Sequence, residues 1–139
     1  MEQLNYPIVW SDEFSMQIVE IDDQHKHFVS ILNDLYASVI NNEVETKIES
    51  IIKELVSYTI VHFATEENYF DMYNYPNTDE HKMQHKELLE KVNSFVERFT
   101  REGNKIVPEL LSFLESWLLD HLRIYDKKYV ECFKQHGLV

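Results

Sequence analysis

Apolar residues recur in steps of three and four along four stretches of the 139-residue chain. The first reads Ile21, His25, Phe28, Leu32, Leu35, Val39. The second reads Ile48, Ile51, Leu55, Tyr58, His62, Glu66, Tyr69, Tyr73. The third reads His81, His85, Leu88, Val92, Phe95, Phe99, and the fourth Val107, Leu111, Leu114, Leu118, His121, Tyr125. Each series traces one stripe along an α-helix. Asn41-Asn42, Tyr75-Pro76-Asn77-Thr78 and Gly103-Asn104 interrupt the pattern, Pro108 sits near the start of the last stretch and Gly137 follows it. Gly past a helix end and Pro just inside a start are the usual punctuation. The pattern predicts helices over about 21–41, 44–74, 79–101 and 107–135, preceded by an arm, 1–20, that carries Trp10 and Phe14 without a clean period. Four amphipathic helices with short connections predict one all-α domain, an antiparallel up-down-up-down four-helix bundle.

Five of the seven histidines, and Glu66, stand in the stripes where the period asks for an apolar side chain. A single such histidine reads as a hydrogen-bonded core residue. Five at once need a common explanation, because burying a polar group without a partner costs about 1–3 kcal/mol. Their heights in the bundle offer one. His25 lies 18 residues before a first turn centred near residue 43, with His62 and Glu66 19 and 23 after it. His85 and His81 lie 19 and 23 residues before a third turn near residue 104, with His121 and Asp126 17 and 22 after it. In antiparallel helices equal counts mean equal heights, so all four helices contribute at two adjacent levels. His62/Glu66 and His81/His85 are i, i+4 pairs that share a face. His121 and Asp126 are five apart, an offset of about 140° in a regular α-helix. That offset predicts a π-type distortion between them, a feature common at functional sites.

Seven such side chains are too many for one tetrahedral zinc, and all-oxygen calcium or magnesium sites do not use imidazoles. Imidazole with carboxylate suits iron, among other transition metals. Two six-coordinate ions offer about twelve positions. Five imidazoles, two bridging carboxylates and one bridging oxide or hydroxide leave one open, on the ion with two histidines.

Composition narrows the partners. Asp and Glu number 25 against 13 Lys and Arg, a formal charge of −12. Such a surface repels phosphate backbones, so nucleic acid is not an expected partner. One cysteine, Cys132, excludes internal disulfides, CxxC chemistry and covalent c-type haem. No more than three hydrophobic residues occur in a row, which argues against membrane insertion and a signal peptide and points to the cytoplasm. Cys132 is expected to be structural, His27 solvated, and His136 placed favourably at a helix C-terminus.

Several motifs together resemble the hemerythrin family, specifically its single-domain bacterial branch. Ile21-Asp22-Asp23-Gln24-His25-Lys26 is similar to the first-helix motif, His62-Phe63-Ala64-Thr65-Glu66-Glu67 to HFxxEE, His81-Lys82-Met83-Gln84-His85 to HxxxH, and Trp117-Leu118-Leu119-Asp120-His121 through Asp126 to WLxxH…D. The likeness runs over about residues 8–135. It implies a non-haem di-iron centre, oxo- or hydroxo-bridged, with His81, His85 and His121 on one iron, His25 and His62 on the other, and Glu66 and Asp126 bridging. Dioxygen is implied at the two-histidine iron, for storage or for delivery to an oxygen-consuming enzyme. Phe63, Trp117 and Leu118 match residues lining the family's oxygen pocket, and Phe28 and Ile124 lie close enough by spacing to join them. Gln17 departs from the family, which often has Gly in the arm there.

The expected function is therefore reversible dioxygen binding by a non-enzyme, monomeric or weakly associating. An alternative is a di-iron oxidase or ferroxidase, against which stands the absence of any Glu-x-x-His, the pairing that marks ferritin-like di-iron enzymes. Another is an oxygen or redox sensor acting through a partner.

Overall fold

In a computed structural model, residues 8–139 are described, apart from the side chains of Leu118, Leu119 and Arg123. The arm enters through a 3-10 turn, Asp12–Phe14. Helices α1 (Val19–Ile40), α2 (Val44–Tyr73) and α3 (Thr78–Glu102) follow. A second 3-10 turn, Gly103–Ile106, leads into α4 (Val107–Trp117), a π-helical segment (Leu118–Tyr125) and α5 (Lys127–Gln135). These last three form one continuous rod, the fourth member of the antiparallel bundle. No strand occurs among the described residues.

The connections are short because their residues tolerate tight backbone. Asn42 and Asn74 adopt left-handed conformations with φ of 55° and 51°, which asparagine accepts more readily than most residues. The amides of Asn74 and Tyr75 both bond the Phe70 carbonyl, closing α2. Gly103 combines φ 60° with ψ −137°, a region open essentially to glycine.

The described part of the arm is held by two side chains of α1. Asp22 accepts hydrogen bonds from the Met16 amide at 2.7 Å and the Ser15 hydroxyl at 2.6 Å. Asn33 takes both backbone groups of Ile8, its Oδ1 accepting at 2.7 Å and its Nδ2 donating at 3.0 Å. Phe14, Met16 and Ile18 are buried as a result.

Much of each stripe lies in the core, joined by Phe70, Ile106, Leu110, Tyr129 and Phe133, which the stripes did not include, while Tyr69, Tyr73, Phe99, Leu111 and Tyr125 are half-buried. Leu32, Leu35, Ile48, Leu55, Phe95, Ile106, Leu110 and Leu114 fill one half of the bundle, and Phe70, Tyr129 and Phe133 close the other. Val39, at the end of the first stripe, is 39 % exposed, because α1 ends one residue later beside the Asn41-Asn42 turn. Between the two apolar halves lies a polar layer.

Candidate metal centre

All four rods contribute to that layer: His25 from α1, His62 and Glu66 from α2, His81 and His85 from α3, His121 from the π segment and Asp126 just after it. None exceeds 4 % exposure. The π segment is what admits Asp126. Its amide bonds the His121 carbonyl at 2.9 Å, an i→i−5 step. The added residue turns Asp126 toward the face that an α-helix would give to residue 125.

The donor atoms form two groups sharing Glu66: Glu66, His81, His85 and His121, and His25, His62, Glu66 and Asp126, each with its donors within 4.8 Å of one another. Asp126 spans both. Its Oδ2 lies 3.1 Å from His25 Nε2, while its Oδ1 lies 3.1 Å from His81 Nε2 and 2.9 Å from His121 Nε2. Glu66 Oε1 is 3.0 Å from His85 Nε2 and 3.4 Å from His62 Nε2. The Nε2 atoms of His25 and His62 face each other at 3.2 Å. The histidines thus divide three and two, with both carboxylates between them.

The residues fit metal ions. The Nε2 atoms of His81, His85 and His121 and all four carboxylate oxygens are buried without a hydrogen bond, a concentration of unsatisfied polar atoms that a protein core does not otherwise carry. Two ligand atoms about 2.1 Å from one ion and at right angles stand about 3.0 Å apart, which is the spacing found here. The charge states agree. Burial and Asp126 push the Glu66 carboxyl up, but the imidazoles of His62 and His85 outweigh them and hold it below its ordinary range. Burial likewise opposes ionisation of Asp126, and His121, His25 and His81 hold it well below the usual carboxylate range. Burial takes His62 down to about 4 against the pull of Glu66. Anionic carboxylate and neutral imidazole are the ligating forms. His85 differs: burial lowers it, and Glu66 and Glu67, one on each ring nitrogen, raise it overall.

A second layer of contacts has no counterpart in the sequence reading. His62 Nδ1 donates to Gln24 Oε1 at 2.6 Å, and His85 Nδ1 to Glu67 Oε2 at 3.0 Å. Tyr58 stacks on His62 with centroids 5.6 Å apart and donates its hydroxyl to the Gln24 carbonyl. The available signals were Tyr58 and Thr65, four before and three after His62, and the second Glu of HFxxEE.

The apolar residues expected beside the site are divided by the structure. Phe63 stacks on His85 at 3.8 Å between centroids, and Trp117 on His121 at 4.8 Å. Phe28 packs on Trp117 at 4.7 Å. These three rings form an aromatic wall over the layer. The side chain of Leu118 lies outside the described residues. Ile124 is a correction: it is 53 % exposed, because the π segment that turns Asp126 inward carries residue 124 outward, and Leu122 is buried instead. Cys132 is half-buried. His27 is exposed and pairs with Glu54 at 3.0 Å.

Fold and site together define a four-helix-bundle protein with a paired, histidine- and carboxylate-rich metal centre. The family model for the hemerythrin HHE cation binding domain matches residues 16–133, and the chain belongs to the hemerythrin family. It is 33 % identical to a bacteriohemerythrin of Clostridium acetobutylicum over 128 residues, covering 88 % of this chain and 98 % of that one. It is 34 % identical to a bacteriohemerythrin of Pseudomonas aeruginosa, covering 91 % and 82 %, and 28 % identical to myohemerythrin-1 of Phascolopsis gouldii, covering 88 % and 92 %. A wild-type hemerythrin crystal structure superposes with a TM-score of 0.82 at 25 % identity, covering 90 % of this chain and 96 % of that one.

Proposed function

We propose that His81, His85 and His121 hold one iron, that His25 and His62 hold the other, and that Glu66 and Asp126 bridge them. The carrying observation is the three-and-two division of buried imidazoles around two shared carboxylates. Hemerythrins carry a non-haem di-iron centre, and that centre supplies reversible binding of dioxygen, which is the function of this chain as a family member.

The chain's own residues make such a centre workable. Asp126 and Glu66 bring negative charge to a site that burial would otherwise keep neutral. Phe28, Phe63 and Trp117 pack over His85 and His121, an apolar cover that would limit water entry and slow irreversible oxidation of the oxygenated protein. Glu67 orients His85, and Gln24 orients His62.

We further propose that the protein acts as a carrier rather than an enzyme, storing oxygen or delivering it to an oxygen-consuming enzyme in the cytoplasm, as a monomer or weak oligomer. Among the described residues no helix is long and apolar enough to cross a membrane. The test is an optical titration with iron counted on the same sample. The protein is reduced anaerobically, exposed to air, then stripped of oxygen. A charge-transfer band that appears and vanishes with oxygen, at two irons per chain, is expected. A band that forms once and decays to a ferric spectrum would favour oxidase chemistry.

A further inference from the structure

The contacts around His62 form a chain of hydrogen bonds whose direction is set at one end. Thr65 donates its hydroxyl hydrogen to the Val61 carbonyl in α2 at 3.0 Å. That carbonyl can only accept, so the hydroxyl hydrogen is committed and Thr65 Oγ1 is left as an acceptor. Gln24 Nε2, on α1, donates to it at 3.1 Å. With its NH₂ turned toward Thr65, the Gln24 carboxamide presents Oε1 to His62, and the His62 Nδ1–H donates to it at 2.6 Å. The ring's other nitrogen, Nε2, then carries a bare lone pair, and it is the one facing His25 Nε2 at 3.2 Å and Glu66 Oε1 at 3.4 Å. Tyr58 braces the middle of the chain, donating to the Gln24 backbone carbonyl while stacking on the His62 ring.

A glutamine alone would not do this, because a carboxamide can offer either end to an imidazole. If it were flipped, its NH₂ would face His62 Nδ1, and the ring would carry its proton on Nε2, where it blocks a metal. Thr65 opposes that option, because a flipped carboxamide would have to take the hydroxyl hydrogen away from the Val61 carbonyl. The corresponding device behind His85 is a carboxylate, Glu67, which can only accept and needs no third residue.

We propose that Thr65 and Gln24 are positioning residues that hold His62 in its Nδ1–H form, so that Nε2 is presented to the metal on the two-histidine side. The inference rests on the assignment of His62 as a ligand. It adds that the presenting tautomer is dictated from Thr65, which touches no donor atom of the centre in this arrangement.

The test uses Thr65→Val, Thr65→Ser and Gln24→Leu in the full chain. Long-range ¹H–¹⁵N spectra of the metal-free proteins read the His62 tautomer directly. Wild type and Thr65→Ser are expected to show protonated Nδ1, and Thr65→Val and Gln24→Leu a mixture. Cobalt(II) titrations then read the sites. In Thr65→Val and Gln24→Leu the second ion is expected to bind about 10–100-fold more weakly, the first ion with unchanged affinity, and Thr65→Ser is expected to restore both. Wild type that binds fewer than two cobalt ions would overturn the assignment of the centre itself. Wild type that binds two, with Thr65→Val matching it in tautomer and in affinity, would overturn this inference alone.

Discussion

Asp126 Oδ1 lies 2.9 Å from His121 Nε2, although the two residues are five apart in one continuous rod. Only the i→i−5 step between their backbones allows it. The distortion persists because Asp126 is wanted by three imidazoles, His25, His81 and His121.

Asp126→Ala should therefore separate the metal function from the fold. The wild-type protein gains about 3 kcal/mol of stability when free metal exceeds its dissociation constant about 100-fold. The variant should stay helical without metal, bind fewer than two ions, and show a smaller rise in melting temperature on metal addition. Thermal unfolding followed by circular dichroism, with and without cobalt(II), checks this. An undiminished rise with two ions bound would remove Asp126 from the centre.

The convergence of seven residues was legible because a helix converts sequence distance into height, and the first and third turns gave common zero points. Asp126 was legible as a conflict, a carboxylate at the right level but about 140° off the α-helical face. Ile124 was misplaced by the same conflict, since its neighbours were read on a regular helix while the π segment moved it outward. Gln24, Thr65 and Glu67 left little trace. Polar residues on a helix flank are the ordinary case, and which of them reach a histidine nitrogen depends on side-chain rotamers and on the neighbouring helix.

Phe28 tests the aromatic wall. It is buried and packs on Trp117, whose ring lies on His121. Phe28→Leu keeps the position apolar but gives up the ring, at a cost of about 1 kcal/mol. Iron content should remain at two per chain, and the oxygenated protein should decay to the ferric form several-fold faster as water gains entry. The decay of the charge-transfer band at fixed temperature measures it, and an unchanged rate would deny Phe28 a shielding role.

Arg98 ties the end of α3 to the start of α4. Its guanidinium donates to Glu102 at 2.8 Å and to both oxygens of Glu109. Beside it both carboxyls are held below their ordinary range. A depressed carboxyl pKa contributes stability that is present above the unfolded value of 4.5 and is lost as pH falls through the folded one. Arg98→Ala should thus lower stability slightly at neutral pH, where both carboxylates are ionised, leave it little changed once both are protonated, and so flatten the acid limb below about pH 5. Urea midpoints across pH 3–7 read the difference, and about 1 M salt should shrink it, since these charges are exposed.

Gln17 carries the strain of the arm. Its φ is 57°, in the left-handed region, where a side chain with a Cβ costs about 1–2 kcal/mol. Gln17 offsets part of the cost, since its Oε1 accepts from Lys134 Nζ at 2.7 Å on the exposed surface, a contact worth at most about 1 kcal/mol in water. Glycine relieves the strain but adds about 0.5–1 kcal/mol of entropy to the unfolded chain. With mid-range strain of about 1.5 kcal/mol, entropy of about 0.75 kcal/mol and a few tenths for the exposed contact, the balance favours Gln17→Gly by about 0.5 kcal/mol, a rise in melting temperature of about 2 °C for a chain of this length. Gln17→Ala, which keeps the Cβ and loses the Lys134 contact, should move it down. If the two variants shift the melting temperature in the same direction, the left-handed backbone is not what the position contributes.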